Sequence, residues 1–553
     1  MVVRKLFGKS NNYVYNCTMA FLRAEKKKSG TYLRIVQSYK DKGTAKHKTL
    51  HSLGKIEDYP PEQLESIAKK LLELAGLNME EIVASSFHEI ARVNYGYALI
   101  IKRLWNLFNM NEFVRKVKQK SKIQFDWMQV LQLLIAERIN EPTSKRQSCF
   151  NQEEYLGFGD SIDLQHFYRT LDVLSKEQNL LRRHLFQQQR SLFTQELDVV
   201  FYDVTTLYFD SQKEIEGNKR KKGYSKDGKA HKTQVVLGLL VDKQRNPVTY
   251  HIYEGNTYEG HTMIDALKDL KQDYNIDRII VVADSSMIDT ANRKYITESN
   301  MDYILGDRIK VLPESVKSKL LDKNNHLPLS KGISKSDYSY TSLNYKERRI
   351  ICTYSSKRAE KDAYERGKLI KKAQTWLENP NKYKNVKKRG AGRFIVSSDE
   401  GHPLELNTEK IEQDARYDGF KAIATSTKIS ASEVLSKYND LYEVEHAFRA
   451  LKSQLEIRPV YHWTNQRIEG HIAMCFIAFT FLNYLRNTTQ LQYKTIRKAL
   501  DRMQMSMIKE DKSDDITYMR SNVREEEKTI FNTLKIVAPR DITPEKTINQ
   551  YFR

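Results

Sequence analysis

The sequence predicts an α/β protein, a core of mixed strands and helices preceded by a helical region. Two observations carry this. From residue 97 to 195 apolar residues recur at spacings of three and four, the period of packed helices. From 197 the pattern changes to short β-branched and aromatic runs interleaved with helical stretches, as in an α/β or α+β core. A chain of 553 residues is also too long for one hydrophobic core, so three or four domains are expected.

The elements follow in order. In 31–53, two β-prone runs flank Asp41-Lys42-Gly43 and predict a basic hairpin. Pro60-Pro61 then open a helical pattern that runs to about Leu77. The helical region is marked by Leu99, Ile100, Leu104 and Phe108, then Phe113 and Val117, then Val130, Leu133 and Leu134. LDVVFYDVTTLYFD (197–210), KTQVVLGLLVD (232–242) and PVTYHIYEGN (247–256) read as strands, with Asn246-Pro247 turning between the last two. A helical stretch near 260–272 precedes RIIVVAD (278–284), a buried strand, and DYILGDR (302–308) is another. Residues 309–418 break the pattern with strand-like runs, a charged helix at 357–377 and a basic loop at 379–393. GFKAIATS (419–426) resumes the strands, and helices are expected at 431–456 and near 468–486. The tail from about 510 is charged.

Charge narrows the function. There are 92 basic against 70 acidic residues, a net +22, which points to a polyanionic partner and first to nucleic acid. Cys17, Cys149, Cys352 and Cys475 share no metal-ligand spacing and fit a reducing cytoplasm. The run IAMCFIAFTFLNYL (472–485) is too short to span a bilayer and reads as a buried core helix, so no membrane role is expected. No phosphate-binding glycine loop indicates ATP use.

Asp203 and Asp284 each end an apolar strand, VVFYD and IIVVAD, a rigid mounting for a carboxylate at a cleft. On an uninterrupted helix 431–456, Tyr438, Glu445, Arg449, Lys452 and Glu456 fall within roughly 40° of one line, beside an apolar face formed by Val444, Ala447, Phe448, Leu451 and Leu455. Such a face suits either a solvated charge array or a metal-bridged phosphate. Tyr438, Glu445 and Lys452 match the Y-x2-R-x3-E-x6-K signature, and with FYDVTTLYF, VVADSSM and YEVEHAFRALKSQLEIRPVYHW the chain resembles the DDE transposases of bacterial insertion sequences. The resembled subgroup carries a β-rich insertion between the second Asp and the Glu. The gap here, 445 − 284 = 161, is long enough to hold one, against 284 − 203 = 81 between the aspartates. The resemblance runs from about residue 30 to 490. Leu441 occupies the signature Arg position, and the second block reads ADSSM where Arg and Gly are frequent.

The resemblance implies an RNase H-like mixed-sheet core (197–308 and 419–490) interrupted by a β-rich insertion (309–418). A helical domain (91–196) precedes it, with an N-terminal hairpin-and-helix region (1–90) for DNA contact and a C-terminal helical tail (491–553) for dimerisation. It implies that Asp203, Asp284 and Glu445 bind two Mg²⁺ or Mn²⁺ ions and catalyse DNA cleavage and strand transfer on double-stranded element ends and target, in the bacterial cytoplasm at the nucleoid, as a homodimer. Tyr438 and Lys452, with Arg449 in place of the missing Arg, are expected at the DNA backbone. The basic segments add Lys219, Arg220, Lys221, Lys222, Lys388 and Arg389 as candidate phosphate contacts. Two alternatives stand beside this: a nuclease that cuts without joining, and an inactive or repurposed transposase that only binds DNA, which Leu441 favours.

Overall fold

The computed structural model describes residues 20–41, 44–76, 87–159, 161–193, 197–225, 228–274, 276, 279–329, 338–379, 389–397, 404–510 and 514–552. They divide into two compact units, one from 1–89 and 508–516, the other from the remainder.

The smaller unit is built on an antiparallel three-stranded sheet of Ala20–Lys27, Gly30–Asp41 and Thr44–Lys55. The expected hairpin is its second and third strands, with Asp41 opposite Thr44. The first strand was not anticipated, because its alternation is broken by charges. Helix Pro61–Leu74 follows with Pro at its first position, where a missing N–H costs nothing.

In the larger unit, helices Gly96–Leu107, Met110–Gln119, Trp127–Asn140, Leu164–Lys176 and Gln178–Phe193 form the expected helical region. Helix Asn465–Thr489 packs against three of them and against a strand of the sheet, so it is buried all round and has no polar face. It is long and apolar enough to cross a membrane, yet 89% of its apolar window is buried in the protein.

The core is a nine-stranded sheet: β1 (Val199–Tyr208), β2 (Gln234–Val241), β3 (Pro247–Glu254), β4 (Ile280–Ala283), β5 (Asp302–Asp307), β6 (Leu327–Pro328), β7 (Tyr338–Tyr345), β8 (Arg348–Ser355) and β9 (Phe420–Thr425). Their spatial order is β6-β7-β8-β9-β5-β4-β1-β2-β3. β1, β2 and β3 form an antiparallel meander, while β4 and β5 lie parallel to β1. That five-stranded pattern has the mixed parallel and antiparallel pairing expected of the core. Three strands of 309–418, β6, β7 and β8, extend the same sheet beyond β9, while Ile395–Ser397 and Leu404–Leu406 pair in a separate two-stranded sheet and the segment also carries the helix Ser356–Glu378.

Strand pleating separates two faces. Val200, Tyr202, Val204, Val281, Ala283 and Leu305 pack into one cluster with Met263, Ala266 and Leu267 of helix Met263–Lys268. The other face of β1 and β2 is crossed by helix Tyr442–Ser453.

Candidate active site

The parallel register pairs Tyr202 of β1 with Ala283 of β4, and Val282 and Ala283 of β4 with Ile304 and Leu305 of β5. One position further along lie Asp203, Asp284 and Gly306, and antiparallel β9 places Ile423 opposite Gly306. Adjacent strands lie about 4.8 Å apart. Pleat alternation puts the whole row on the face opposite the apolar cluster. Asp284 retains extended backbone, φ −72° and ψ 168°, and its carboxylate accepts from the Ser285 N–H, capping the short turn that follows. Asp203 is half-buried within its strand and Asp284 is exposed.

The expected single helix 431–456 is two. α1 (Ala431–Asn439) opens with a reciprocal cap between Ser430 and Glu433 and ends at Asn439-Asp440, weak helix formers whose side chains compete with the ladder. α2 (Tyr442–Ser453) begins after Leu441, which is half-buried at the junction. The single line of five residues is therefore corrected. Glu445, Arg449 and Lys452 share one face of α2, whereas Tyr438 is buried on α1 and Glu456, at φ 39°, lies beyond the helix end.

Asp203, Glu445, Arg449 and Lys452 line one open cavity together with Arg458. Asp284 lines a neighbouring cleft with Gly306, Arg358, Lys421 and Tyr438. The bare Cα of Gly306 makes this possible. A Cβ there would lie 2.6 Å from the Tyr438 hydroxyl and 2.8 Å from the Ser285 nitrogen. Lys421, on β9, places its ammonium 4.4 Å from the centre of the Tyr438 ring. Burial pushes this lysine below its usual pKa range and Arg358 adds to the effect, while Asp284 and Glu445 pull it back up. Burial, Asp284 and Glu445 together push the Tyr438 hydroxyl above its usual range. Both carboxylates are thus felt by the same lysine and tyrosine.

Sequence reasoning missed Lys421, Arg358 and Arg458. Lys421 had a signal, being the lone charge in an otherwise apolar strand. Arg358 lies in a charged helix without pattern, and Arg458 follows the end of α2.

The basic segment after β1 is more occupied than its composition implied. Arg220 is 1% exposed, with its guanidinium 5.0 Å from the Phe209 ring, 4.5 Å from Trp463 and donating to the Lys213 carbonyl. Lys219 is ion-paired to Glu469 at 2.9 Å. Both side chains hold the loop in place rather than face solvent. Lys221 is half-buried and bridges to Gln234, Lys222 is exposed, and Arg389 is exposed. Lys388 lies outside the described residues. Near the end of β1, Lys229 sits 3.5 Å and Arg458 5.4 Å from the Tyr208 ring.

Asp203, Asp284 and Glu445 offer only oxygen donors, which suit a hard divalent cation. Among the described residues no three Asp, Glu, His or Cys side chains stand close enough to hold an ion as placed. The donor chemistry fits; the side chains are spread around the cleft rather than gathered.

This fold is a mixed α/β sheet with a carboxylate-bearing cleft on one face. The match of residues 194–481 to the transposase DDE domain model shows that the chain belongs to the DDE transposase family, and residues 22–78 match the N-terminal domain of IS1634 family transposases. It is an insertion-sequence transposase, of a family that generally uses divalent metal ions. No curated protein sequence matches it. Among solved structures it is similar to the piggyBac transposase synaptic complex with hairpin DNA, at 10% identity over 79% of this chain and 78% of that one, with a TM-score of 0.36. A Mos1 transposase paired-end complex with left transposon end aligns at 14% identity over 33% of this chain and 59% of that one, with a TM-score of 0.15.

Proposed function

We propose that Asp203, Asp284 and Glu445 are the catalytic carboxylates, holding two Mg²⁺ or Mn²⁺ ions for cleavage and strand transfer at the element's ends. The observation that carries this reading is the shared register of Asp203 and Asp284, with Glu445 lining the same cavity as Asp203. Two such cations would lower the pKa of an attacking water or 3′-hydroxyl and stabilise the leaving 3′ oxygen. In the first step water attacks phosphorus and the 3′ oxygen leaves; in the second the freed 3′-OH attacks a target phosphodiester and the target strand's own 3′ oxygen leaves.

The protein's own groups hold the strand. Lys421 and Arg358 supply cations beside Asp284 where Leu441 supplies none, and Tyr438 over Gly306 presents a hydroxyl between them. Arg449 and Lys452 grip the backbone along α2, one and two turns from Glu445. Lys221, Lys222 and Arg389 add phosphate contacts further out, and the basic N-terminal sheet binds the element end. Because two ends must be paired, the working form on DNA is a homodimer. Cleavage and joining assays on DNA carrying the element's ends, with each carboxylate replaced in turn, test this reading. The competing reading, a DNA-binding protein without catalysis, draws on Leu441 and predicts binding with no products.

A further inference from the structure

A third cavity, of about 610 Å³, lies between the helical region and the segment that follows α2. Arg138, Lys145, Arg458 and Arg467 line it, and Glu456 is the one acidic residue among its lining. Lys145 is 3% exposed, and its ammonium feels the charges of Arg138 and Glu137. Arg138 is 5% exposed; its terminal nitrogens donate to the carbonyls of Leu455 and Thr143, but its Nε is buried without a partner. The nearby carboxylate, Glu137, accepts from Tyr155, Thr143 and Asn151 and does not line the cavity. Buried charges in folded proteins are paired, because an unpaired one costs several kcal/mol. Four cations, Arg138, Lys145, Arg458 and Arg467, thus face one cavity whose lining holds a single acid, Glu456, a charge balance that favours an anion.

We propose that this cavity is a binding site for the phosphate of a DNA nucleotide, distinct from the carboxylate cleft. Two features select a nucleotide over a free anion. Tyr461 and Trp463 line the cavity while 65% and 58% exposed, which makes them stacking surfaces for a base. Arg458 lines both this cavity and the one holding Asp203 and Glu445, so a strand leaving the cleft passes directly to it. Burial and Arg138 push the Lys145 ammonium down to about 7, and a bound phosphate opposes both effects. The proposal rests on the transposase reading for the identity of the strand, but not for the existence of the anion site.

The test is calorimetric titration of the full chain in chelator, so that nothing is cleaved, with thymidine 5′-monophosphate, inorganic phosphate and thymidine. Wild type is compared with Lys145→Met and Arg467→Gln, the second a half-exposed residue ion-paired to Asp172 at 3.5 Å. The monophosphate is expected to bind at least tenfold more tightly than inorganic phosphate, thymidine not to bind, and both variants to weaken the monophosphate at least tenfold while their thermal unfolding stays cooperative. Equal binding by wild type and both variants, or none by wild type, overturns the site. Inorganic phosphate as tight as the monophosphate overturns the nucleotide assignment. Wild type that cleaves element ends but binds no monophosphate sinks the pocket alone, whereas wild type that binds the monophosphate but does not cleave sinks the catalytic reading alone.

Discussion

Asp203 and Asp284 occupy the same register position on two adjacent parallel strands, one residue beyond the paired Tyr202 and Ala283. They lie 81 residues apart in the chain (284 − 203) and on neighbouring strands in the sheet. Asp203 lies within its strand and Asp284 directly follows the end of its own, so sheet pairing sets the backbone position of both.

Gly306 extends that row, and it has no room for a side chain. Gly306→Ala is predicted to displace the Tyr438 hydroxyl or Ser285, lowering cleavage roughly 10- to 100-fold and stability by about 1–3 kcal/mol. End binding, measured by mobility shift, should change little. Unchanged cleavage would remove Tyr438 from the site.

Lys421 is predicted to replace the missing signature arginine. Lys421→Met should reduce cleavage roughly 10- to 100-fold, and adding Leu441→Arg to that variant should restore part of it. If Leu441→Arg alone raises wild-type activity strongly while Lys421→Met has no effect, the cation at this cleft is not Lys421.

The turn between β2 and β3 is tied to α2 by the ion pair of Arg245 with Glu443, both largely buried. Glu443→Ala leaves a buried guanidinium unpaired and is predicted to cost about 3 kcal/mol, read as a lower midpoint in denaturant. A double replacement of Arg245 and Glu443 by apolar residues should recover much of the loss.

Buried histidines set the acid side of stability. Burial, helped by Lys145 and Arg138, pushes His462 down to about 3 and His471 well below its usual range. The unfolded chain therefore takes up these protons first, so their contribution is present above about pH 6.5 and is lost as pH falls toward 3. Lys145, pushed down to about 7, acts on the other side: the unfolded chain keeps its proton up to about 10.5, so stability rises from pH 7 toward that value. Thermal midpoints across pH 4–9 check both slopes, and Lys145→Met should flatten the alkaline one.

The strands carrying Asp203 and Asp284 were legible in the sequence because β-branched runs and turn residues are local signals. Their alignment was not, since register depends on pairing across long gaps. The break at Asn439-Asp440 was hidden by an apolar periodicity that continues through it, which placed Tyr438 and Glu445 on one face when they belong to two helices. Lys421 and Arg358 reach the cleft from a strand two places away from that of Asp284 and from a separate helix, and no spacing in the chain encodes that. The burial of Arg220 was equally invisible, because a lysine-rich run gives no sign of which member turns inward between Phe209 and Trp463.

The most direct test of the central claim is cleavage and strand transfer on DNA carrying the element's ends, with Mg²⁺ or Mn²⁺, comparing wild type with Asp203→Asn, Asp284→Asn and Glu445→Gln. Metal-dependent nicked and joined products from wild type, lost in all three variants while end binding persists, are the predicted result. Products that survive any one of the three replacements, or wild-type binding with no products in either metal, would contradict it.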